Sequence, residues 1–400
     1  MAALNVAKKF TMKGGFLPIC QTILFDPENQ RIAATDLDTA VVIPLEMTDY
    51  EREITIETDS KELTEKKKTE LVELCKAAGI SVEKTDKKPD LIKKLSQPEK
   101  KTFIESFCAD RKFIDMVKTT ETETINLHIE QAEGENLFKA SIFKLTIGEN
   151  FKSIFVNSKE DFPITDIPEN PHTVDLDKTQ IGKMAMIKTN DDAGFVLNCV
   201  LFDGENNKLV STDGHRLHML DCKLDTDEKI LVNSVALRKI CTCIKDEKIS
   251  LSCSQENTVM KVNDITVVSR NHDGKFPDYK SVLGSKLSMK VDVNKEALKK
   301  ACEQSLILAD SQYLGAKFCF NGGISVSTIN PERGKYEKFN IPLKKKVDPE
   351  ITLGLNAQYV KEAMTAFDGD EVNIRLKDQL SPLVFSAHED FSALIMPMRV

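Results

Sequence analysis

The sequence predicts an α+β protein of three similar units in tandem, with a small helical segment inserted into the first. One observation is a weak internal repeat. A strand-like run closing on a threonine occurs at Ile32–Asp38, Leu209–His215 and Ile324–Asn330, which places Thr35, Thr212 and Thr328 alike. A second strand-like stretch follows each run, Thr39–Ile43 in the first unit, and then a helical segment: Arg111–Lys118, Val235–Lys245 and Ala357–Phe367. The last two carry apolar residues at helical spacing, Leu237/Ile240/Cys241/Ile244 and Val360/Ala363/Met364/Phe367. Another observation is spacing. Thr212 lies 27 residues before Lys239 and Thr328 lies 31 before Tyr359, but Thr35 lies 77 before Lys112, so about 46 residues are extra in the first unit.

Those extra residues have their own character. Residues 61–101 hold 12 lysines against 8 acidic residues, although the whole chain carries a net charge of −8. Leu71, Leu74, Cys75 and Ala78 share one helical face that ends at Gly79, a C-capping residue. An extended Ile80–Lys84 follows. A second helix then starts near Pro89, with Leu91, Ile92 and Leu95 on one side. This helix–extended loop–helix resembles the SAP/HeH type of small DNA-binding module.

Composition narrows the function. A chain of 400 residues, 41% hydrophobic and 30% charged, reads as a soluble multidomain protein. It has no run of about 18 apolar residues and no apolar leader after Met1, so no membrane partner is expected and a cytoplasmic setting is. The ten cysteines are scattered without a CxxC pair, and Cys241-Thr-Cys243 has no matching second pair. They read as reduced core thiols, with no metal and no cofactor expected. The acidic balance excludes coating DNA by bulk charge, but not a basic surface on an otherwise acidic body.

Three stretches carry a family resemblance: Ser211-Thr-Asp-Gly-His-Arg-Leu217, Asp273-Gly-Lys-Phe-Pro-Asp-Tyr279 with Val282 and Leu283, and Ile395-Met-Pro-Met-Arg-Val400. Leu17–Cys20 ahead of Thr35–Asp38 adds a weaker fourth. In this order the chain resembles the bacterial sliding clamp, the beta subunit of the replicative DNA polymerase. The resemblance implies three DNA-clamp domains, each with two helices packed on sheets, forming half of a closed ring completed by a second copy. It places clamp domain 1 at 1–57 and 104–170, the insertion at 58–103, domain 2 at 171–284 and domain 3 at 285–400. It implies a non-catalytic processivity factor. The expected partners are double-stranded DNA held without regard to sequence, the replicative polymerase, a clamp loader and a second copy of the chain. The host is expected to be a bacterium or a phage-like replicon.

The resemblance also nominates residues. Its peptide-binding pocket maps onto Leu197, Thr212, Gly214, His215, Arg216, Leu217, Pro277 and Val282. Across from these come Asn356, Tyr359, Leu380, Pro382, Leu394, Ile395, Met396, Pro397, Met398 and Arg399. Flexible thioethers at Met396 and Met398 suit a site that accepts several peptides. Ile307 and Leu308 match the family's interface helix, with Ile154 and Val156 expected opposite. For the DNA-facing surface the residues themselves supply a pattern: Arg238, Thr242 and Lys245 fall away from the apolar stripe of their helix. Arg111, Lys112 and Lys118 form a similar set in the first unit, and Lys295, Lys299, Lys300 and Lys361 in the third. Lys178, Lys183 and Lys188 precede the second unit's hairpin. Cations of this kind hold phosphates without reading bases.

The sequence departs from the family in places. Asn5–Lys9 stands where a full strand and long helix would begin, Ser281 where the pocket rim often has a basic residue, and Val196 where an aromatic is used near DNA. Asp213, His215 and Arg216 make a poor hydrolase cluster, because no Ser or Cys in a nucleophile motif accompanies them, and Asp-Gly is more simply a tight turn. The competing function is a DNA-binding regulator that uses the basic insertion on a degenerate clamp body.

Overall fold

The computed structural model describes residues 2–13, 17–27, 29–47, 67–77, 87–96, 106–112, 115, 126–130, 141–147, 150–158, 162–163, 167–189, 195–245, 248–283, 287–343, 347, 349–387 and 390–399. The chain divides into two compact units, Met1–Ala34 with Val42–Pro163, and Thr35–Val41 with Ile164–Val400.

In the first unit, α1 (Ala2–Lys8) buries Leu4 and Ala7. Strands β1 (Thr22–Asp26), β2 (Arg31–Thr35), β3 (Thr39–Pro44), β4 (Phe107–Asp110), β5 (Asn126–Glu130), β6 (Ser141–Ile147) and β7 (Asn150–Ser158) hydrogen-bond in the order β5-β6-β7-β4-β1-β2-β3. β1 is buried along its length, Asp26 included. A buried carboxylate must be hydrogen-bonded. Arg31 Nε at 2.9 Å, Asn29 Nδ2 at 2.8 Å and the Ser106 hydroxyl at 2.8 Å supply the donors.

Two helices lie between β3 and β4 in sequence, α2 (Lys68–Ala77) and α3 (Lys88–Ser96), and they pack together with Leu71 and Leu91 buried. Each starts alike: Glu70 accepts from the Lys67 amide at 3.0 Å, and Asp90 from the Lys87 amide at 2.9 Å. These are the two helices read from residues 61–101. Ile80–Lys84 and Gly79 lie outside the described residues, as do the side chains of Leu74, Cys75 and Leu95 and most of the 111–118 segment.

The second unit repeats one element order twice. The first pass is β8 (His172–Asp177), α4 (Lys178–Ala185), β9 (Cys199–Asp203), β10 (Lys208–Thr212), β11 (Arg216–Asp221), β12 (Lys229–Asn233), α5 (Ser234–Cys241), β13 (Lys248–Cys253), β14 (Asn257–Val262) and β15 (Ile265–Arg270). After a short α6 (Tyr279–Leu283) the second pass is β16 (Met289–Asn294), α7 (Lys295–Leu308), β17 (Gly315–Phe320), β18 (Gly323–Asn330), β19 (Gly334–Pro342), β20 (Ile351–Asn356), α8 (Ala357–Ala366), β21 (Glu371–Leu376), β22 (Leu383–Ser386) and β23 (Phe391–Ile395).

In both passes the two helices pack on each other, α4 on α5 and α7 on α8. Every one of these helices leaves its strand at an Asx residue whose side chain accepts a helix-start amide. Asp177 takes Gln180 at 2.7 Å, Asn233 takes Val235 at 2.8 Å, Asn294 takes Ala297 at 2.8 Å and Asn356 takes Gln358 at 2.9 Å. Such a cap contributes about 1 kcal/mol.

An eight-stranded antiparallel sheet, β12-β9-β10-β11-β23-β22-β21-β16, runs through both passes. Its seam is β11 on β23, with Arg216 opposite Ile395 and Leu220 opposite Phe391.

The first two threonine turns form as expected. Thr35 Oγ1 bonds Thr39 O at 3.2 Å, and Thr212 Oγ1 bonds Arg216 O at 2.6 Å. The left-handed position between them falls on Leu37 (φ 78°) in one and Gly214 (φ 86°) in the other. The third differs. β18 runs on through Thr328, whose buried hydroxyl finds no hydrogen-bond partner among the described residues, and the chain turns instead at Asn330, which accepts from Glu332 and Arg333 amides at 3.0 and 3.1 Å. In the first two turns an aspartate directly after the threonine, Asp36 or Asp213, accepts the turn amides, whereas Ile329 follows Thr328 and cannot, so no tight turn closes there and the hairpin is longer.

Candidate functional site

The sheet seam fixes one corner of the predicted pocket. Past the end of β23 the chain continues the pairing, with the Met396 amide on His215 O at 2.9 Å and the Met398 amide on Gly354 O at 2.9 Å. Beside it Arg216 is buried, its side chain 5% exposed. Its Nε lies 2.9 Å from Asp213 Oδ2, a guanidinium NH donates to Glu362 on α8, and its plane stacks over the Tyr359 ring at 4.2 Å. One cation therefore ties the 213–216 turn of the first pass to α8 of the second. Burial alone would raise the Glu362 carboxyl, but hydrogen bonds from Arg216 and Gln358 draw it below the usual carboxylate range. Burial raises the Tyr359 hydroxyl.

Next to this corner lies an apolar wall. Cys199, Leu201, Val210, Leu217, Leu231, Tyr279, Val384 and Leu394 form one buried cluster, with Val196, Phe276, Val282, Leu283 and Met396 half-buried against it. Of the sequence-nominated residues, Leu217, Val282, Leu394 and Met396 thus meet in a single apolar body. Thr212 and Gly214 shape the turn, and the Gly214 amide bonds Thr212 Oγ1 at 3.1 Å. Leu197 is half-buried in the short helical turn before β9, and His215 and Pro277 are exposed. Asn356, besides capping α8, donates to Tyr313 O at 3.1 Å. Ile395 and Pro382 are buried, Pro397 and Met398 half-buried, and Arg399 exposed. Leu380 sits on the loop between β21 and β22 and is 88% exposed.

The nominated cations divide. Lys112, Lys188, Lys245 and Lys300 are exposed, and Lys299 and Lys361 half-buried, with Lys299 Nζ 3.9 Å from Glu296. Lys183 corrects the sequence reading. It is buried, with Nζ 3.0 Å from Asp368 and 5.4 Å from the Phe391 ring centroid, because its helical position faces the second pass.

Three others are spent on helix ends. Lys178 Nζ donates to Ile244 O at 2.8 Å, and Lys295 Nζ to Phe367 O at 3.0 Å, the same tie in both passes. Arg238 donates to Ala185 O at 2.9 Å and to Ser234 Oγ at 3.0 Å, and burial lowers its pKa. Sequence spacing set Arg238 and Lys295 on polar helix faces and put Lys178 only ahead of a hairpin; it did not show that carbonyls at a neighbouring helix end lay within reach of all three. Arg111 donates to Met12 O at 2.9 Å, and Lys118 lies outside the described residues.

Of the nominated interface residues, Ile307 is 72% exposed near the end of α7 and Leu308 is half-buried. Ile154 and Val156 lie on β7, opposite Phe143 and Ser141. Sequence reasoning missed the Asx caps and the Asp213–Arg216–Glu362 set. A signal existed for a further pair: Leu24-Phe25-Asp26 and Leu201-Phe202-Asp203 repeat, and Asp203 is buried like Asp26, accepting from Asn206 and from the Tyr279 hydroxyl at 2.8 Å.

Burial pushes the Cys199 thiol up to about 12 and those of Cys241 and Cys253 to about 11, which leaves them protonated rather than nucleophilic. Among the described residues no group of three or more His, Cys, Asp and Glu side chains is placed to hold a metal ion, and no helix is long and apolar enough to cross a membrane.

Comparison with known proteins agrees with this architecture. The family models of the DNA polymerase III beta subunit match at residues 173–278 (central domain) and 280–399 (C-terminal domain). The beta sliding clamp of Pseudomonas putida is 23% identical over 339 residues, covering 80% of this chain and 89% of that protein. That of Vibrio cholerae is 24% identical over 278 residues, covering 66% and 75%. Among crystal structures, the DNA polymerase sliding clamp of Bacillus subtilis matches with a TM-score of 0.76 at 18% identity, covering 100% of this chain and 96% of that one. The DNA polymerase III beta subunit of Pseudomonas aeruginosa matches at 0.74 and 17%, covering 99% and 97%. With two consecutive domain models in register on a repeat-built fold, this chain belongs to the family of the DNA polymerase III beta subunit, the bacterial sliding clamps.

Proposed function

We propose that two copies of this chain close into a ring around duplex DNA, slide on it without reading sequence, and hold the replicative polymerase and clamp loader by short peptides. The observation that carries the proposal is the wall of Leu217, Val282, Leu394 and Met396. Residues from both passes meet there, and Val282 and Met396 stay half-exposed beside a rigid turn. A core would bury them; a docking surface for an apolar peptide needs them reachable. The exposed Lys112, Lys188, Lys245 and Lys300 supply sequence-independent phosphate contacts. The exposed Ile307 supplies an apolar contact for ring closure. In this reading the domains are 1–57 with 104–170, 171–284 and 285–400, with 58–103 inserted; the protein does no chemistry and works in the cytoplasm.

A ring held by topology rather than charge has one distinguishing property. At high salt, phosphate contacts weaken steeply. Clamp loaded on nicked circular DNA is therefore expected to stay bound through a high-salt gel-filtration column and to leave once the circle is cut. Ile307→Asp is expected to lose retention on the circle as well. Equal loss from circular and linear DNA by the native protein overturns the ring.

The peptide site makes a separate prediction. Met396→Glu places a charge where apolar side chains would pack, at a half-exposed position that tolerates it in the free protein. Kd for a fluorescein-labelled peptide from the tail of the host's replicative polymerase is expected to rise more than about tenfold, a change of roughly 1.4 kcal/mol. Unchanged fluorescence anisotropy titrations would place the peptide elsewhere.

A further inference from the structure

We infer that Glu362 is a positioning residue for partner binding, holding the Arg216 guanidinium against Tyr359 so that this corner of the peptide site is formed before a peptide arrives. The inference rests on the reading of the Leu217–Leu394–Met396 wall as that site.

Arg216 is too buried to offer its charge to a peptide, since its side chain is 5% exposed. Its contacts point inward: Asp213 within its own turn, and Glu362 and Tyr359 on α8. Only the α8 contacts cross from one pass of the fold to the other. Glu362 in turn is steadied by Gln358, one helical turn earlier, and the hydrogen bonds it accepts keep it ionised. Tyr359 and the Thr212–His215 turn are therefore fixed relative to each other by one carboxylate that lines no nominated wall.

Without Glu362, Asp213 still holds Nε, but the NH end of Arg216 loses its partner across the seam. The guanidinium and the ring stacked on it then sample further rotamers. A peptide would have to order them on binding, and restricting one or two such side chains weakens affinity about three- to tenfold.

The test is the affinity of the native protein and three variants for the labelled polymerase-tail peptide, with thermal melts run alongside. Glu362→Ala is expected to raise Kd about three- to tenfold. Glu362→Gln, whose amide oxygen still accepts from Arg216, is expected to return Kd to within about twofold of native. Asp368→Ala breaks the Lys183 ion pair across the same two passes without touching Arg216, and is expected to leave Kd unchanged. A role in stability alone would move the melts and spare Kd. The inference is overturned if Glu362→Ala binds within twofold of native, or if Asp368→Ala weakens binding as much. If the native protein and Met396→Glu are equally inert toward the peptide, it is the peptide-site reading that fails, and this inference with it.

Discussion

Arg216→Ala is expected to lower the stability of the second unit by about 3 kcal/mol, because removing one partner from a buried ion pair strands the charge left behind. Two charges are stranded here: the Asp213 side chain is 8% exposed and that of Glu362 27%. Partial access to water on Glu362 keeps the cost at the lower end of the usual 3–5 kcal/mol range. Loss of the stacking on Tyr359 adds roughly 0.5–1 kcal/mol. Urea denaturation followed by circular dichroism, native against variant, measures it. Removing all three charges together, as Asp213→Asn, Arg216→Met and Glu362→Gln, is expected to recover most of the loss. A single Arg216→Ala that costs under 1 kcal/mol would show that water solvates the carboxylates after all.

A pH dependence of similar size is expected from His218. It is fully buried, its ring edge-on to Phe391 at 5.2 Å, with Nδ1 donating to Lys183 O at 2.8 Å. Burial lowers its pKa from 6.5 to about 4, against the opposing pull of that carbonyl. The unfolded chain therefore takes up a proton below pH 6.5 while the folded one does not until about pH 4. Stability from this group is complete above pH 6.5 and falls as the pH drops through that window, reaching a loss of about 2 kcal/mol at pH 5 and about 3 kcal/mol near pH 4. Urea titrations at pH 7 and pH 5 on the native protein and on His218→Gln isolate the contribution. The variant should be less stable at pH 7 and lose less on acidification, and parallel losses would mean that His218 titrates normally.

Much of this was legible in the residues. The threonine repeat marked the first two hairpins because Asp-Gly and Asp-Leu-Asp close turns by local hydrogen bonds that sequence alone specifies. Helical stripes placed α5 and α8, since apolar spacing reports a buried face directly, and α2 and α3 lie where one helix ahead of Gly79 and another starting near Pro89 were expected. What spacing could not show was partnership. Lys183 and Lys188 look alike in sequence, yet one is buried against Asp368 and the other is exposed. Arg216 was placed in the pocket wall by resemblance, but its tie to Glu362 joins residues 146 positions apart and leaves no local pattern. The third hairpin misled because Thr328 sits in a strand that outruns the expected turn.

The β11–β23 seam bears on how the protein can be dissected. Its rungs from Arg216–Ile395 to Leu220–Phe391 weld two lengths of chain into one sheet. A fragment cut between residues 284 and 285 would bare a row of unpaired amides and carbonyls along β11, and its counterpart would bare β23. Such naked borders recruit strands from other molecules. Halves expressed separately are thus expected to clump, and halves expressed together to reassemble.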